Sequence, residues 1–222
     1  MITIGNGVSD IPHRNRLHSL DGPVRLAFIG GMAVHKGYRL VRSAFLSETF
    51  AHLTLTIVDH SRPHGYSRRE VWGTTPVDFI GLIPQRDVFD LYCQTDVLLA
   101  PSIWPESYGL VTREALASGC WVVASDRGAI GECIVDDENG YIIDVSDITG
   151  LVSTLRQIDN DHLRYTRPPK KVTVLRTAAE QGEELARLYG KMLDWGEFRD
   201  KVSKRPELGC ASAPALPDHK TT

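Results

Sequence analysis

Cysteine is scarce: Cys93, Cys120, Cys133 and Cys210 are the four in 222 residues, and none stands at metal-ligand spacing from another. Three of them fall in apolar or helical surroundings, where a reduced thiol behaves as a small hydrophobe. A surplus of positive charge is also missing. The 25 Lys and Arg against 28 Asp and Glu leave a net charge of −3, which gives no bulk attraction for nucleic acid or an anionic membrane surface, so any bound anion must be held locally. No run approaches the roughly 20 apolar residues of a membrane span. Residues Met1 to Gly7 have no basic segment followed by an apolar stretch, as a leader would. These absences point to a cytoplasmic protein, brought to the inner face of a membrane only through partners.

What is present is enough apolar sequence, 42% of the chain, to bury the core of one domain with some chain appended. Short, nearly continuous apolar runs recur: Val24 to Ile29, Leu53 to Val58, Val77 to Ile80, Val97 to Ala100, Trp121 to Ala124 and Tyr141 to Ile143. They read as strands covered on both faces. Between them Gly37 to Thr49, Gln85 to Thr95, Gly109 to Ser118, Gly131 to Asp136 and Asp147 to Ile158 read as helices. Strands alternating with helices predict an α/β fold, a Rossmann-like doubly wound parallel sheet of about six strands over residues 23–163. Residues 1–22 read as a linker. Residues 164–200 hold a basic, Pro-rich connection from Arg164 to Lys171. A long amphipathic helix follows from Thr173 to Trp195, with Leu175, Leu185, Leu188 and Met192 at helical spacing. Residues 201–222, rich in Ala, Pro and Ser, are expected to be disordered. No internal repeat is present.

In a doubly wound sheet, ligands bind beyond the carboxyl ends of the strands, so the chemistry is expected in the loops there. The first, Phe28 to Gly37, leaves a strand through Gly30 and Gly31 and reaches Lys36 just before a helix. Glycines permit close backbone approach, a helix start offers free N–H groups and a lysine adds charge, a combination suited to phosphate. It is neither a P-loop nor G-x-G-x-x-G, and a plain strand-to-helix turn with a solvated lysine fits the same residues. The second, Pro101 to Ala115, turns through two prolines and enters a helix near Tyr108 or Gly109, with Glu106 in the loop and Glu114 inside the helix. Amides between two carboxylates suit a diphosphate flanked by sugar hydroxyls. The same carboxylates would also serve as a general acid and base, or as a cap and an exposed helix acid.

These segments carry a resemblance. P-S-I-W-P-E-S-Y-G-L-V-T-R-E-A-L-A-S-G, with Glu106 and Glu114 eight apart, resembles the E-x(7)-E motif of the retaining family 4 glycosyltransferases of the GT-B fold. Ile4 to Val8, Phe28 to Gly37, Leu91 to Ser102 and Ser125 to Gly140 resemble further segments of that family's C-terminal, donor-binding domain, in the same order. The resemblance runs from Ile4 to about Ile158. It implies that Lys36, with the loop at Gly31, pairs with the diphosphate of a nucleotide sugar, and that amides around Tyr108, Gly109 and Leu110 cap its phosphates. Glu114 would bind the ribose, Glu106 would contact the transferred sugar, and Ile83 would lie near the base. Catalysis would rest on Glu106 and Lys36, with retention of configuration. The family uses no metal, and the chain is expected to have no D-x-D to hold one; no cofactor is expected, the nucleotide sugar being the substrate.

Two departures from the family stand out. A second diphosphate cation, an arginine, is commonly found where Gly31 stands here. The family also has an N-terminal acceptor domain, on the order of 150 residues, that nothing before Met1 supplies. Either the chain is cut from a longer polypeptide or a separate acceptor-binding N-domain protein completes it; the other expected partner is a nucleotide sugar, with no nucleic acid and no membrane span. The leading expectation is the donor half of a hexosyltransferase of surface polysaccharide synthesis. The alternatives are a non-catalytic nucleotide-sugar-binding or partner-binding module, and a sugar-nucleotide epimerase. His35, His60 and His64 read as solvated or locally satisfied. Trp104 beside Pro105 reads as a packed loop aromatic, with stacking on a ligand as the other reading. Arg127, Gly128 and Glu132 fit either donor contact or helix capping, and Asp59-His60 ends a strand where the family often has a glycine-rich turn.

Overall fold

The computed structural model describes residues 6–8, 21–171 and 176–203, with 194–203 as backbone only. The expectations for Ile4, the rest of the linker, Leu175, the side chain of Trp195, Cys210 and residues 204–222 lie outside the described residues.

One sheet of seven strands organises the chain: β1 (Val24–Phe28), β2 (Leu53–Val58), β3 (Ser67–Trp72), β4 (Thr75–Ile80), β5 (Val97–Ala100), β6 (Trp121–Ser125) and β7 (Gly140–Ile143), in the order β3-β4-β2-β1-β5-β6-β7. Every neighbouring pair is parallel except β3 with β4. The six expected strands form to within a residue or two, and β3 is the addition. It is largely exposed and reads Ser-Arg-Arg-Glu-Val-Trp, so it has no apolar run to announce it. Its charges suit an edge strand, where they discourage pairing with another sheet. Gly73, at φ 59, turns the hairpin, and Arg69 grips Asp78 of β4 at 2.6 and 2.8 Å.

Alternation along the strands feeds two cores. Val24, Leu26 and Phe28 of β1 join Phe45, Trp72, Phe79, Leu155 and Tyr165 on one face, while Ala27 joins Tyr92, Leu98, Leu116 and Ile130 on the other. Each of the larger aliphatic and phenylalanine side chains among them contributes about 1.5–3 kcal/mol by leaving water. The first face is covered by α1 (Tyr38–Ser47), α4 (Thr149–Asn160) and α5 (His162–Tyr165), and the second by α2 (Val88–Cys93) and α3 (Leu110–Ala117).

Helix boundaries move where local chemistry decides them. The expected helix from Gly37 opens as a 3-10 turn at Val34–Lys36 and becomes α1 only after Gly37. The helix expected over Gly131 to Asp136 does not form: a 3-10 turn, Ala129–Gly131, is all that appears. The Asn139 amide takes over its backbone groups, accepting from Val135 N at 2.8 Å and donating to the Cys133 carbonyl at 3.1 Å. α4 starts at Thr149 because Asp147 accepts its N–H at 2.7 Å.

The long terminal helix, α6 (Ala178–Ser203), starts later than Thr173. Thr177 and Glu180 cap each other's N–H groups at 3.2 and 2.7 Å, a reciprocal capping box. It continues past Trp195 into the stretch expected to be disordered. Leu185 and Leu188 are half-buried, whereas Tyr189, Met192 and Leu193 stay exposed.

Candidate functional site

From β1 the chain proceeds outward through β2 and β4 on one side, and through β5, β6 and β7 on the other. Strand order therefore reverses between β1 and β5, which pair Leu26 with Val97 and Ala27 with Leu98. A crevice opens beyond the carboxyl ends of such a pair, and the two loops flanking it, residues 29–37 and 101–109, are the two singled out from sequence.

Glycine geometry brings the loops together. Gly31 sits at φ 63, under His60, whose Nε2 meets the Ile29 carbonyl at 3.0 Å. Gly37 sits at φ 87, and a Cβ there would lie 2.0 Å from the carbonyl oxygen of Pro101. With that approach made, the His35 carbonyl accepts from Ile103 N at 2.9 Å and Ser102 Oγ at 3.0 Å. Glu106 is pinned from the other side, where its carbonyl accepts Ala129 N at 2.7 Å and a Cβ on Gly128 would lie 2.4 Å from the same oxygen. Lys36 Nζ then reaches Glu106 Oε1 at 2.5 Å across the crevice. Gly109, at φ 71, is the N-cap of α3 and supplies no side-chain acceptor, which leaves first-turn N–H groups for water or a ligand.

Glu114, on α3, is buried and accepts the Tyr92 hydroxyl at 3.1 Å. Burial pushes its carboxyl above the usual glutamate range despite that hydrogen bond. Burial and the neighbouring Glu114 push the Tyr92 hydroxyl well up. The folded chain holds the Glu114 proton to higher pH than the unfolded chain does, so stability from this group is present below the ordinary glutamate value and lost as pH rises through the folded one. Glu114→Gln keeps an acceptor for Tyr92 and removes the charge. It is expected to raise the thermal midpoint at neutral pH, with the gain shrinking as pH falls through the carboxylate range; an equal shift at every pH would contradict this.

Arg113, which no sequence motif marks, also belongs to this region. Its side chain is 6% exposed, pairs with Glu132 at 2.9 Å and stacks 3.8 Å above the Tyr108 ring. The Tyr108 hydroxyl in turn donates to the Asn6 carbonyl at 2.5 Å. An arginine on the apolar face of Leu-Val-Thr-Arg-Glu-Ala was the available signal. Tyr108 is thus braced between Arg113 and the residue 6–8 segment, and Glu132 serves Arg113.

The other residues are placed as follows. Ile83 is half-buried beyond β4, on the same sheet edge but separated from β1 by β2. Asp59 accepts from Ser61 Oγ at 2.6 Å and Ser61 N at 3.0 Å, which hold its carboxyl below the usual range and turn the chain after β2. His64 Nδ1 lies 3.3 Å from the Leu82 carbonyl, and Arg127 pairs with Asp126 and Asp144. A D-x-D triplet does occur, Asp159-Asn160-Asp161, but Asp159 accepts from Ala51 N and His52 N at 3.1 and 2.7 Å, at the opposite edge where β2 begins. Trp104, expected to be packed, is 67% exposed. Two hollows meet at the Lys36–Glu106 pair. The inner one, about 40 Å³, reaches Phe28, Gly30, Ser102 and Ile130. The outer one, about 620 Å³, is lined by His35, Lys36, Trp104, Pro105, Glu106 and Ser107.

Residues 23–161 match the family model described as glycosyl transferases group 1. The glycogen synthase of Mycobacterium tuberculosis is 28% identical over 152 residues, 63% of this chain and 35% of that protein. Among solved structures, the sucrose-phosphate synthase of Thermosynechococcus elongatus superposes with a TM-score of 0.64 at 22% identity, over 80% of this chain and 47% of that one. Anabaena HepE, solved in complex with UDP-glucose, superposes with a TM-score of 0.62 at 16% identity, over 78% of this chain and 50% of that one. The chain spans about a third of the length of the curated relative. No helix among the described residues is long and apolar enough to cross a membrane.

Proposed function

The chain belongs to the glycosyl transferases group 1 family, and from that premise we propose that it is the donor-binding domain of a retaining, metal-independent hexosyltransferase whose substrate is a nucleotide-diphosphate sugar. The observation that carries this reading is the Lys36–Glu106 pair, joined at 2.5 Å in front of the uncapped start of α3. A diphosphate entering there takes Lys36 from Glu106 and receives the amides near Gly109 and Leu110, whose dipole favours negative charge. Glu106, released, turns its carboxylate to hydroxyls of the transferred sugar. Glu114 exchanges its Tyr92 contact for the ribose, and Ile83 borders the base. When the bond between the anomeric carbon and the diphosphate oxygen breaks, the electron pair stays on the diphosphate, where Lys36 and the helix amides stabilise it.

The missing arginine has a local reason. At φ 63, position 31 would strain any side chain, and a Cβ there would come within 3.1 Å of the His60 ring. An acceptor-binding domain, on the same polypeptide or a partner, completes the enzyme, and surface polysaccharide synthesis is its proposed setting.

The experiment compares nucleoside diphosphates with their sugar conjugates on the parent and on Glu106→Gln. Removing one member of a partly exposed pair frees the other, so Glu106→Gln is expected to bind the bare diphosphate up to about fivefold more tightly, roughly 1 kcal/mol, and to lose the increment due to the sugar. Unchanged discrimination between diphosphate and sugar conjugate would remove Glu106 from the sugar subsite.

A further inference from the structure

The basic, Pro-rich stretch from Arg164 to Lys171 has no part in the crevice. Its four cations, Arg164, Arg167, Lys170 and Lys171, border a hollow of about 920 Å³ together with Trp121 and Pro168. That hollow lies at the other end of the sheet. Trp121 opens β6, opposite Val97 at the start of β5, and Asp137 and Glu138, which also line the hollow, come just before β7. These are the amino ends of parallel strands, whereas Lys36 and Glu106 stand in loops beyond the carboxyl ends of β1 and β5, so the length of the strands separates the two places.

The walls are fixed from behind. Thr166 donates through its N–H and Oγ to the His162 and Leu163 carbonyls at 3.2 and 3.1 Å, the Trp121 indole donates to the Arg167 carbonyl at 2.9 Å, and Pro169 is buried. Arg164 donates to the Asp137 carbonyl at 2.7 Å, pairs with the Asp137 carboxylate at 2.8 Å and lies 5.1 Å from the centre of the Trp121 ring. Asp137 accepts the Tyr141 hydroxyl at 2.7 Å and takes a left-handed backbone at φ 63, alone among the described residues other than glycine. Such a conformation persists where its surroundings enforce it, and it is a pointer to function.

Charge states which ligand. Four cations meet two carboxylates, and both carboxylates are taken, Asp137 by Arg164 and Glu138 by Lys171 at 3.6 Å. Arg167 and Lys170 are exposed and enter no ion pair with a described residue. In a chain of net charge −3, this local surplus attracts an anion that the bulk charge does not. An arginine fork beside a lysine suits phosphate oxygens. Trp121 is 4% exposed, with Arg164 against its ring, so it offers no face on which a nucleotide base could stack. We propose that this hollow binds the phosphate of a phosphate ester without a base, free or as a phospholipid headgroup, at a second site independent of the donor crevice.

The test has one arm for each source. Phosphorus NMR of glycerol phosphate follows the free ester, and sedimentation with vesicles of phosphatidylcholine, alone or mixed equally with phosphatidylglycerol, follows the headgroup. The chain is expected to broaden the glycerol phosphate line, or to sediment with the anionic vesicles and not with the neutral ones, and the arm that responds names the source. Arg167→Gln/Lys170→Gln is expected to weaken the response about tenfold. Lys36→Ala is expected to leave it unchanged, as is Arg187→Gln/Lys191→Gln, which removes the same charge from α6. No response in either arm, or a response that survives in Arg167→Gln/Lys170→Gln, overturns the proposal. So does an equal loss in Arg187→Gln/Lys191→Gln, which would reduce the effect to bulk charge, or a loss in Lys36→Ala, which would put the phosphate in the donor crevice. Because Arg167 and Lys170 are exposed, their variant should keep the fold and its affinity for nucleoside diphosphates, so the donor reading stands or falls separately.

Discussion

Lys36→Ala is expected to lower affinity for a nucleoside diphosphate by one to two orders of magnitude, about 1.5–3 kcal/mol, while leaving affinity for the matching nucleoside unchanged. The reason is geometric. Lys36 is the cation that the close approach at Gly37 delivers to the mouth of the crevice, with Glu106 as its present partner; in the proposed function Glu106 turns to the sugar only once the diphosphate replaces it. Removing the ammonium leaves the diphosphate with helix amides alone and leaves Glu106 as an uncompensated negative neighbour. Titration of the variant with the nucleoside, monophosphate and diphosphate of one base resolves the effect. The loss is expected to appear when the second phosphate is added, and an equal loss for all three would mean that the variant has disturbed the fold and not the phosphate subsite.

Gly37→Ala is expected to be among the most damaging single methyl additions to the domain, because it combines a left-handed backbone with a backbone clash. Position 37 lies at φ 87, and the added carbon would stand 2.0 Å from the Pro101 carbonyl oxygen and 2.9 Å from its carbon. The left-handed backbone alone costs about 1–2 kcal/mol for a residue with a Cβ. The neighbour here is backbone, with no flexible end to swing aside, so the 29–37 and 101–109 loops must separate. A total loss of about 3 kcal/mol or more is expected, a sizeable part of a stability of roughly 5–15 kcal/mol. Urea unfolding measures it. Gly65→Ala is the control: it shares the left-handed geometry at φ 83 but meets nothing within 4 Å, so it should lose only the conformational part. Because separation of the loops also misaligns Lys36 and Glu106, diphosphate affinity should fall in Gly37→Ala and hold in Gly65→Ala. Similar losses in the two variants would show that the loops do not depend on their close approach.

Much of this was legible because the parallel strands are buried on both faces, so apolar runs such as Val97 to Ala100 mark them without ambiguity. β3 escaped because it is an exposed edge strand, and exposed strands need no apolar signal. The helix expected over Gly131 to Asp136 failed because one side chain, Asn139, satisfies the backbone groups that a helix would have paired, a competition that periodicity does not register. At the site, loop composition and spacing mark Lys36, Glu106 and the start of α3 as candidates beside a plainer reading, the family resemblance supplies their expected roles, and the fold brings Lys36 to Glu106. Arg113, Tyr92 and the burial of Glu114 depend on which face of α3 meets α2, a tertiary matter. Most loop aromatics find cover, which predicts a packed Trp104; its exposure depends on a loop held through backbone contacts to Ser102 and His35, which the sequence does not register.

The measurement that bears most directly on the donor site is calorimetric titration of the chain with UDP, GDP, ADP, dTDP and their common sugar conjugates, once in EDTA and once in magnesium. The expected result is binding of one nucleotide series at a single site, equally well in EDTA, with the diphosphate increment lost in Lys36→Ala. Binding of no series, or binding that requires magnesium and ignores Lys36→Ala, would contradict the donor site described here and favour a module whose role lies in its protein contacts.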